Sequence, residues 1–264
     1  MTTALRLSTI ALCFLAVVAC SKKEEKGKST APVAESATSF SQSNSDAEVV
    51  LSFPDTIKAF PELHVKLYTE GEADLKDFAT QAAKDHAELK AAGSEPLPYF
   101  RSIKWTLPAQ SEHLVSVYAD MQDFTGGAHP NTNYQAILWD KDTQQALDTR
   151  TLFAQGANLS DADTYLCRQI EAERSKRAET PTTQAATGFT CPKLIDSRIA
   201  LVPSTTAGKI GALEVLFAPY DVGPYAEGPY QIRIPQAVIR ALINPAYAAD
   251  FAGDPVAVTA DPAG

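Results

Sequence analysis

Alternation of apolar and polar positions recurs along the chain and predicts a series of short β-strands. In residues 209–217, for example, Leu213, Val215 and Phe217 face one side while Glu214 faces the other. A period of two is typical of a strand with one buried face. The predicted strands are residues 49–53, 61–68, 101–107, 113–121, 133–139, 147–153, 195–202, 209–217 and 230–234.

Three other segments carry apolar residues at helical spacing. They are residues 74–89, which end before Gly93 and Pro96, residues 161–177, and residues 235–242, which place a proline in the first turn. Strands in hairpin-like runs with helices between them indicate an α+β fold. We therefore expect a mostly antiparallel sheet with a few packed helices, in two subdomains that share one body.

The first 20 residues have the pattern of an export signal. Arg6 precedes an apolar run over residues 7–18, which is too short to span a bilayer, and Ala19 stands directly before Cys20. A small residue before cysteine resembles the lipobox of bacterial lipoproteins. The resemblance implies removal of residues 1–19 and an acylated Cys20 that anchors the chain to a membrane. The alternative is a plain secretory signal with a free cysteine.

A polar stretch follows and reads as a disordered tether over residues 20–46, because it has too few apolar residues to offset chain entropy. Ser21, rather than Asp, follows the lipid-bearing cysteine. By resemblance to Gram-negative sorting rules, this favours the outer membrane, facing the periplasm. The chain is thus expected in the cell envelope, with the lipid as its only membrane contact.

The formal net charge of −9 changes the range of expected partners. Acidity argues against nucleic acid and against docking on anionic lipid, since both repel a negative surface. It is compatible with a basic protein partner, although acidity also simply favours solubility.

Two cysteines remain for the folded part, Cys167 and Cys191. In an oxidising compartment they are expected to form a disulfide. The bridge closes a loop of about 24 residues and contributes roughly 3 kcal/mol in the chain-entropy model. Their spacing is not the C-x-x-C of redox catalysts, and no histidine lies near them as a metal ligand.

Residues 124–131, with the core Gly126-Gly127-Ala128-His129-Pro130, resemble the extracytoplasmic domains named DUF4163 and DUF3298. Segments 217–228 and 232–235 match in the same order. The resemblance divides the body into a DUF4163-like subdomain over residues 47–120 and a DUF3298-like subdomain over residues 121–252. A disordered tail is expected over residues 253–264.

The DUF4163 and DUF3298 families include the extracellular part of an anti-sigma factor that binds lysozyme and the non-catalytic part of a peptidoglycan deacetylase. The resemblance therefore implies an envelope module that contacts a protein or cell-wall material. We expect neither a transmembrane helix nor a deacetylase domain in this chain. Nucleophile, P-loop and dinucleotide motifs are also missing from the sequence, so no enzymatic activity, cofactor or metal is expected.

The candidate partner surface combines the Gly126–Asn131 turn with the Gly/Pro/Tyr loop that follows Pro219. Tyrosine is a preferred contact residue because it offers a large rigid area with a polar tip. The candidates are Gly126, Gly127, His129, Asn131, Tyr220, Asp221, Tyr225, Glu227 and Tyr230. The alternative is that these tyrosines pack internally. For His129, a hydrogen bond to nearby backbone is favoured over catalysis.

Three functions remain open from the sequence. The first is a lipid-anchored envelope binding protein that captures a lysozyme-type muramidase or another basic protein. The second is a domain that binds cell-wall fragments or modifies peptidoglycan, for which Asp120, Asp123 and Asp221 would have to converge. The third is an envelope lipoprotein with a different partner. The oligomeric state is left open.

Overall fold

The computed structural model describes residues 37–257, which all lie in one compact unit. The predicted signal peptide, Cys20 and residues 258–264 lie outside the described residues, as does the tether up to residue 36. Within residues 37–257, no helix combines the length and the apolar composition that a membrane crossing requires.

A six-stranded sheet forms the first half of the described chain. Its strands lie in sequence order, and all neighbours are antiparallel except β2 and β3. A parallel pair needs a long crossover, which the helix α1 (Pro61–Ala91) supplies. The strands are β1 (Ser39–Ser43), β2 (Ala47–Ser52), β3 (Tyr99–Gln110), β4 (Leu114–Phe124), β5 (Asn131–Asp140) and β6 (Gln145–Leu147).

The prediction of a strand over residues 61–68 is wrong, because this segment forms the first turns of α1. Leu63, Leu67, Gly71 and Leu75 are all buried and lie four residues apart, which is helical spacing. The alternation of Leu63, Val65 and Leu67 resembled a strand because residues four apart, such as Leu63 and Leu67, share one face in a helix as well as in a strand. Gly71 lets α1 approach the sheet, since a Cβ atom there would lie 3.0 Å from Leu51 Cδ1.

The predicted tether is wrong for residues 37–46, which belong to the folded unit. β1 pairs antiparallel with β2 along its whole length. Backbone hydrogen bonds hold such an edge strand, so four of its five residues remain exposed and its composition looks like that of a tether. Ahead of the strand, His64 Nε2 lies 3.1 Å from the carbonyl oxygen of Ala37.

The second half of the described chain forms a three-stranded antiparallel sheet with helices. The order is β7-β8-β9, and α3 packs against β9. The elements are α2 (Thr149–Leu152), α3 (Ser160–Arg177), α4 (Gln184–Thr187), β7 (Arg198–Pro203), β8 (Ile210–Phe217), β9 (Tyr230–Pro235) and α5 (Gln236–Ile239).

Two predicted elements in this half need correction. The strand over residues 147–153 is wrong because β6 ends at Leu147 and the Asp148 side chain caps α2, accepting a hydrogen bond from Arg150 N at 2.7 Å. The helix over residues 235–242 is split into α5 and a 3-10 turn, Arg240–Leu242. The predicted α+β class with mostly antiparallel strands is confirmed.

The predicted boundary between residues 120 and 121 is wrong, because β4 runs through it. The first sheet instead continues to Leu147. β7 lies against β3, β4 and β5, and Leu201 N donates a hydrogen bond of 2.9 Å to the buried Ser116 Oγ. The two sheets therefore join within the compact unit through a polar contact as well as through apolar packing.

The predicted disordered tail is wrong for residues 253–257, which pack against the second sheet. Val256 N donates to Pro203 O at 3.0 Å, and Thr205 N donates to Asp254 O at 2.8 Å. Gly211 in β8 lies beneath this segment, since a Cβ atom there would be 2.5 Å from Pro255 Cα. The few apolar residues of this segment did not signal these contacts, because backbone groups make most of them.

Two carboxylates connect the first sheet to the C-terminal residues. Tyr247 donates a hydrogen bond of 2.6 Å to Asp140, and His113 Nδ1 lies 2.9 Å from the buried Asp250. The hydrogen bond and the charge of Asp250 raise the pKa of His113. Burial tends to raise the pKa of Asp140. The hydrogen bonds from Tyr247 and Thr143 outweigh this effect, so the pKa is lowered overall.

The raised pKa of His113 predicts a pH dependence of stability. Because the pKa of His113 is raised in the folded state, protonated His113 stabilises the fold. This contribution is fully present below the unfolded-state pKa of 6.5 and is lost as the pH rises through the folded-state pKa. The difference in thermal midpoint between the wild type and His113→Gln should therefore shrink from pH 6 to pH 9. A difference that is constant with pH would show that the pair does not titrate in this window.

Candidate functional site

The fold brings the Gly126–Asn131 turn, which connects β4 to β5, against the loop of residues 220–228, here called the recognition loop. The imidazole of His129 stacks on the Tyr225 ring, with centroids 3.7 Å apart and planes inclined by 20°. Tyr225 Oη donates a hydrogen bond of 2.8 Å to Pro130 O. The predicted meeting of these two segments is thus found in the structure.

Two glycines allow the turn to take its shape. Gly126 and Gly127 have φ values of +92° and +105°, a region that residues with a Cβ atom rarely adopt. After them, His129 Nδ1 lies 3.0 Å from Pro130 O, the carbonyl that also accepts from Tyr225. The predicted hydrogen bond between His129 and nearby backbone is confirmed.

Tyr220 stands at the start of the recognition loop with 59% of its surface exposed. Its φ of +76° is unusual for a residue with a bulky side chain and costs on the order of 1 kcal/mol or more. Tyr220 N donates to Gly223 O at 3.0 Å, which holds the turn, and the ring centroid lies 5.7 Å from that of Tyr225. We call Tyr220, Tyr225 and His129 the aromatic surface.

Polar residues border the aromatic surface. Asp221 accepts a hydrogen bond of 2.8 Å from Ala218 N and forms an ion pair of 2.9 Å with Arg198. Asn131 donates to Asp123 at 3.4 Å. Burial raises the pKa of Asp120, whose carboxylate hydrogen-bonds the Gln122 side chain. The three carboxylates considered for a catalytic pair therefore have separate partners.

Two predicted surface residues point inward. Tyr230 is only 1% exposed, so its assignment to a partner surface is wrong, and Glu227 takes part in a largely buried ion pair. Arg174 of α3 donates to both Glu227 oxygens, from Nε at 2.9 Å and from Nη2 at 3.0 Å, and Tyr230 Oη donates to the same carboxylate. The three tyrosines thus differ in burial: Tyr230 is buried, Tyr225 is half-buried and Tyr220 is exposed.

This network shifts the pKa values of both inward-facing residues. Hydrogen bonds from Arg174 lower the pKa of Glu227, more strongly than burial raises it. Burial and the neighbouring Glu227 carboxylate raise the pKa of Tyr230 to about 12. Glu227 is therefore charged and Tyr230 neutral at physiological pH, so the pair supports the loop and is unsuited to proton transfer there.

Sequence reasoning missed the two arginines that support the recognition loop. Arg174 follows Leu166 and Ile170 at four-residue intervals on the buried face of α3. This spacing was the one feature of the sequence that could have indicated a buried arginine. Arg177 donates to the carbonyl oxygens of Glu227 at 2.6 Å and Pro229 at 2.9 Å. Its guanidinium lies 3.8 Å from the centroid of the Tyr230 ring.

A disulfide connects Cys167 in α3 to Cys191, as the sequence predicted. The sulfur atoms and a Glu171 oxygen lie within 4.8 Å of one another, but both sulfurs are committed to the disulfide. Elsewhere, a surface groove of about 650 Å³ lies between Arg150, Phe153, Leu159 and Asn244, away from the aromatic surface.

Fold and site together define an α+β module with an exposed aromatic surface and a buried arginine beneath it. Residues 40–132 match the family model described as deacetylase PdaC, and residues 150–237 match the model of DUF3298, a family of unknown function. The resemblance predicted from the sequence is thereby confirmed. No curated protein matches the chain.

The solved structures that are similar to this chain include two DUF3298 proteins. A DUF3298 family member from Bacteroides fragilis has 18% sequence identity and a TM-score of 0.53, covering 77% of this chain and 88% of that one. A DUF3298 family protein from Pseudomonas aeruginosa PAO1 has 18% identity and a TM-score of 0.48, covering 78% and 91%. The first of these shows a shared fold.

Proposed function

We propose that this protein is a lipid-anchored envelope binding protein that captures a basic protein partner of the lysozyme type. It acts by contact, through the aromatic surface, and not by catalysis. Matches to the DUF3298 and PdaC models support an envelope-associated role at the coarser level. The observation that carries the proposal is the exposed, conformationally strained Tyr220 beside the stacked Tyr225 and His129.

Physical reasons make these three residues suited to binding. A tyrosine at positive φ costs free energy in the unbound protein, and such strain is typical of functional sites. On binding a partner, Tyr220 and Tyr225 would bury a large, rigid side-chain area and lose little conformational entropy. Both properties are typical of residues that dominate binding energy. The Pro130 carbonyl fixes the Tyr225 ring before a partner arrives.

Charge supports a basic partner. The chain carries a formal net charge of −9, and Asp221, which is paired with Arg198, directly follows Tyr220 of the aromatic surface. Long-range attraction between opposite charges raises the association rate, and salt reduces it. Affinity should therefore fall as ionic strength rises.

The membrane anchor completes the proposal. An acylated Cys20 would hold the folded unit at the outer membrane on the periplasmic side, with residues 21–36 as the connection to β1. A tether of this length restricts the protein to a thin layer near the membrane and so raises its effective concentration there. Mass spectrometry of the native protein tests this part: an unacylated Cys20 would contradict it.

The binding proposal predicts the effect of substitutions in the aromatic surface. The mature protein should bind a hen-type lysozyme at low salt, and Tyr220→Ala or Tyr225→Ala should each weaken binding by about 30-fold, as expected for a dominant contact residue. Isothermal titration at two salt concentrations measures this. Leu97→Ala is the matched control, since Leu97 is 72% exposed but lies between α1 and β3, outside the surface.

Three outcomes would count against this proposal. The lysozyme hypothesis fails if no complex forms in either salt concentration. If muropeptides bind instead, and Tyr220→Ala removes that binding, the aromatic surface serves the cell wall rather than a protein. Turnover of those muropeptides would contradict the proposal of action by contact alone.

A further inference from the structure

The disulfide closes residues 167–191, and the part of this segment that follows α3, residues 178–191, contacts the Arg174 guanidinium from one side. Arg174 Nη1 donates hydrogen bonds to Gln184 Oε1 at 2.7 Å and to Thr187 Oγ1 at 2.6 Å. The guanidinium also lies 5.1 Å from the centroid of the Phe189 ring. Three residues that precede Cys191 by a few positions therefore surround a buried arginine, which is only 2% exposed.

From the other side, the same guanidinium holds the recognition loop. Its Nε and Nη2 atoms bind the Glu227 carboxylate, two residues after Tyr225 of the aromatic surface. The loop backbone packs directly on this ion pair: a Cβ atom at Gly223 would lie 2.5 Å from Glu227 Oε2 and 3.2 Å from Arg174 Nε. A shift of Arg174 would therefore be transmitted to the backbone between Tyr220 and Tyr225.

We propose that Arg174 is a positioning residue that couples the disulfide to the aromatic surface, so that reduction of Cys167–Cys191 weakens partner binding. This inference rests on the proposed function of that surface. In the oxidised protein, the bridge keeps Gln184 and Thr187 on Arg174. In the reduced protein, the segment loosens, Arg174 loses two acceptors, and the recognition loop loses its fixed support.

The segment depends on the bridge because it has little structure of its own. Its only helix after α3 in this part of the described chain, α4, has four residues, and most residues from 178 to 191 are exposed. Gln184 is the buried exception; its N donates a hydrogen bond of 2.9 Å to Glu171. Closing a loop of about 24 residues by a covalent bond removes part of the chain entropy that would otherwise favour release of this segment.

The redox step requires a dithiol reductant. One thiolate of the reductant attacks a cysteine sulfur and forms a mixed disulfide, and its second thiol then releases the protein thiol. Two electrons and two protons pass to the protein, leaving Cys167 and Cys191 as thiols and the reductant as a disulfide. Cys191 is exposed, so the bond is within reach of such a reagent.

The test compares the oxidised mature protein with protein reduced by dithiothreitol, with the thiol count checked by alkylation and mass spectrometry. Hydrogen exchange should accelerate by about tenfold or more at the recognition-loop amides that are bonded in the structure, such as Glu227 N to Pro224 O. Exchange in β8 should stay unchanged. Lysozyme affinity should fall by about tenfold because the loop must then be ordered on binding.

A double variant separates positioning from general stability. Gln184→Ala with Thr187→Val removes both acceptors while the disulfide stays intact, and it should reproduce the faster exchange in residues 220–228. Thr190→Val is a control in the same disulfide-closed segment, because the side chain of Thr190 is exposed. Equal acceleration in β8 and in the recognition loop would mean that the disulfide acts on global stability, which would overturn the inference.

The two readouts distinguish the inference from the function on which it rests. Exchange of the recognition loop needs no partner, so a redox-dependent loop in a protein that never binds lysozyme would remove only the proposed partner. Lysozyme binding with unchanged affinity and unchanged loop exchange after reduction would retain the proposed function and overturn the coupling.

Discussion

Replacing Arg174 with methionine is expected to lower the free energy of unfolding by about 3 kcal/mol or more, because it leaves a largely buried carboxylate without its counter-charge. The Glu227 carboxylate would keep only the hydrogen bond from Tyr230. Gln184 and Thr187 would lose their donor as well. Urea denaturation followed by circular dichroism measures the change at pH 7.

Two comparisons show whether the cause is the unpaired charge. The double variant Arg174→Met with Glu227→Leu should recover part of the loss, since an apolar pair of similar volume needs no counter-charge. The deficit of the single variant should also shrink at acid pH. The lowered pKa of Glu227 means that its stabilising contribution is present above the unfolded value of 4.5 and is lost as pH falls through the folded pKa. A deficit that is the same at pH 7 and at pH 3 would contradict this explanation.

Local pattern was sufficient for most of the second half of the fold. The strands β7, β8 and β9 and the helix α3 carry their own periodicity, so tertiary context did not override it. In residues 61–68 the pattern was ambiguous, because positions 63 and 67 are compatible with both repeats. The decisive positions, Gly71 and Leu75, lie outside that window, and only the whole of α1 resolves the choice.

The site was predicted only in part. Two glycines and a Gly/Pro/Tyr loop predicted the turn and the recognition loop, and these segments do meet. Tyr230 begins β9 and shares its buried face with Ile232 and Ile234, so the period of two was a local signal for its burial that the site prediction did not use. Tyr225 lies in the loop before the strand, where side chains have no fixed alternation.

The edges of the folded unit were underestimated for a different reason. β1 and residues 253–257 are polar or poor in large side chains, and backbone hydrogen bonds hold both of them. Composition measures the apolar area that a segment can bury, and it is insensitive to pairing with a strand that is already in place. Segments beside an exposed sheet edge are therefore the ones that composition assigns to disorder.

Phe251→Ala tests how firmly the chain directly before residues 253–257 belongs to the core, with an expected loss of about 3–5 kcal/mol in the free energy of unfolding. Phe251 is 0% exposed, belongs to the main apolar core of the second half, and pairs with Ile210 at the start of β8. Its removal leaves a cavity that the surrounding strands cannot fill without moving.

Phe251→Leu is the matched control, because leucine keeps most of the apolar volume. Its loss in the free energy of unfolding should be much smaller than that of the alanine variant. Both are measured by urea denaturation of the protein. If the alanine variant lowered the free energy of unfolding by less than about 1 kcal/mol, Phe251 would contribute little to the core. The segment around it would then lie on β8 without stabilising the fold. A large loss for alanine and a small one for leucine would show that the Phe251 ring fills a closely packed site in the core, because only filled volume explains that difference.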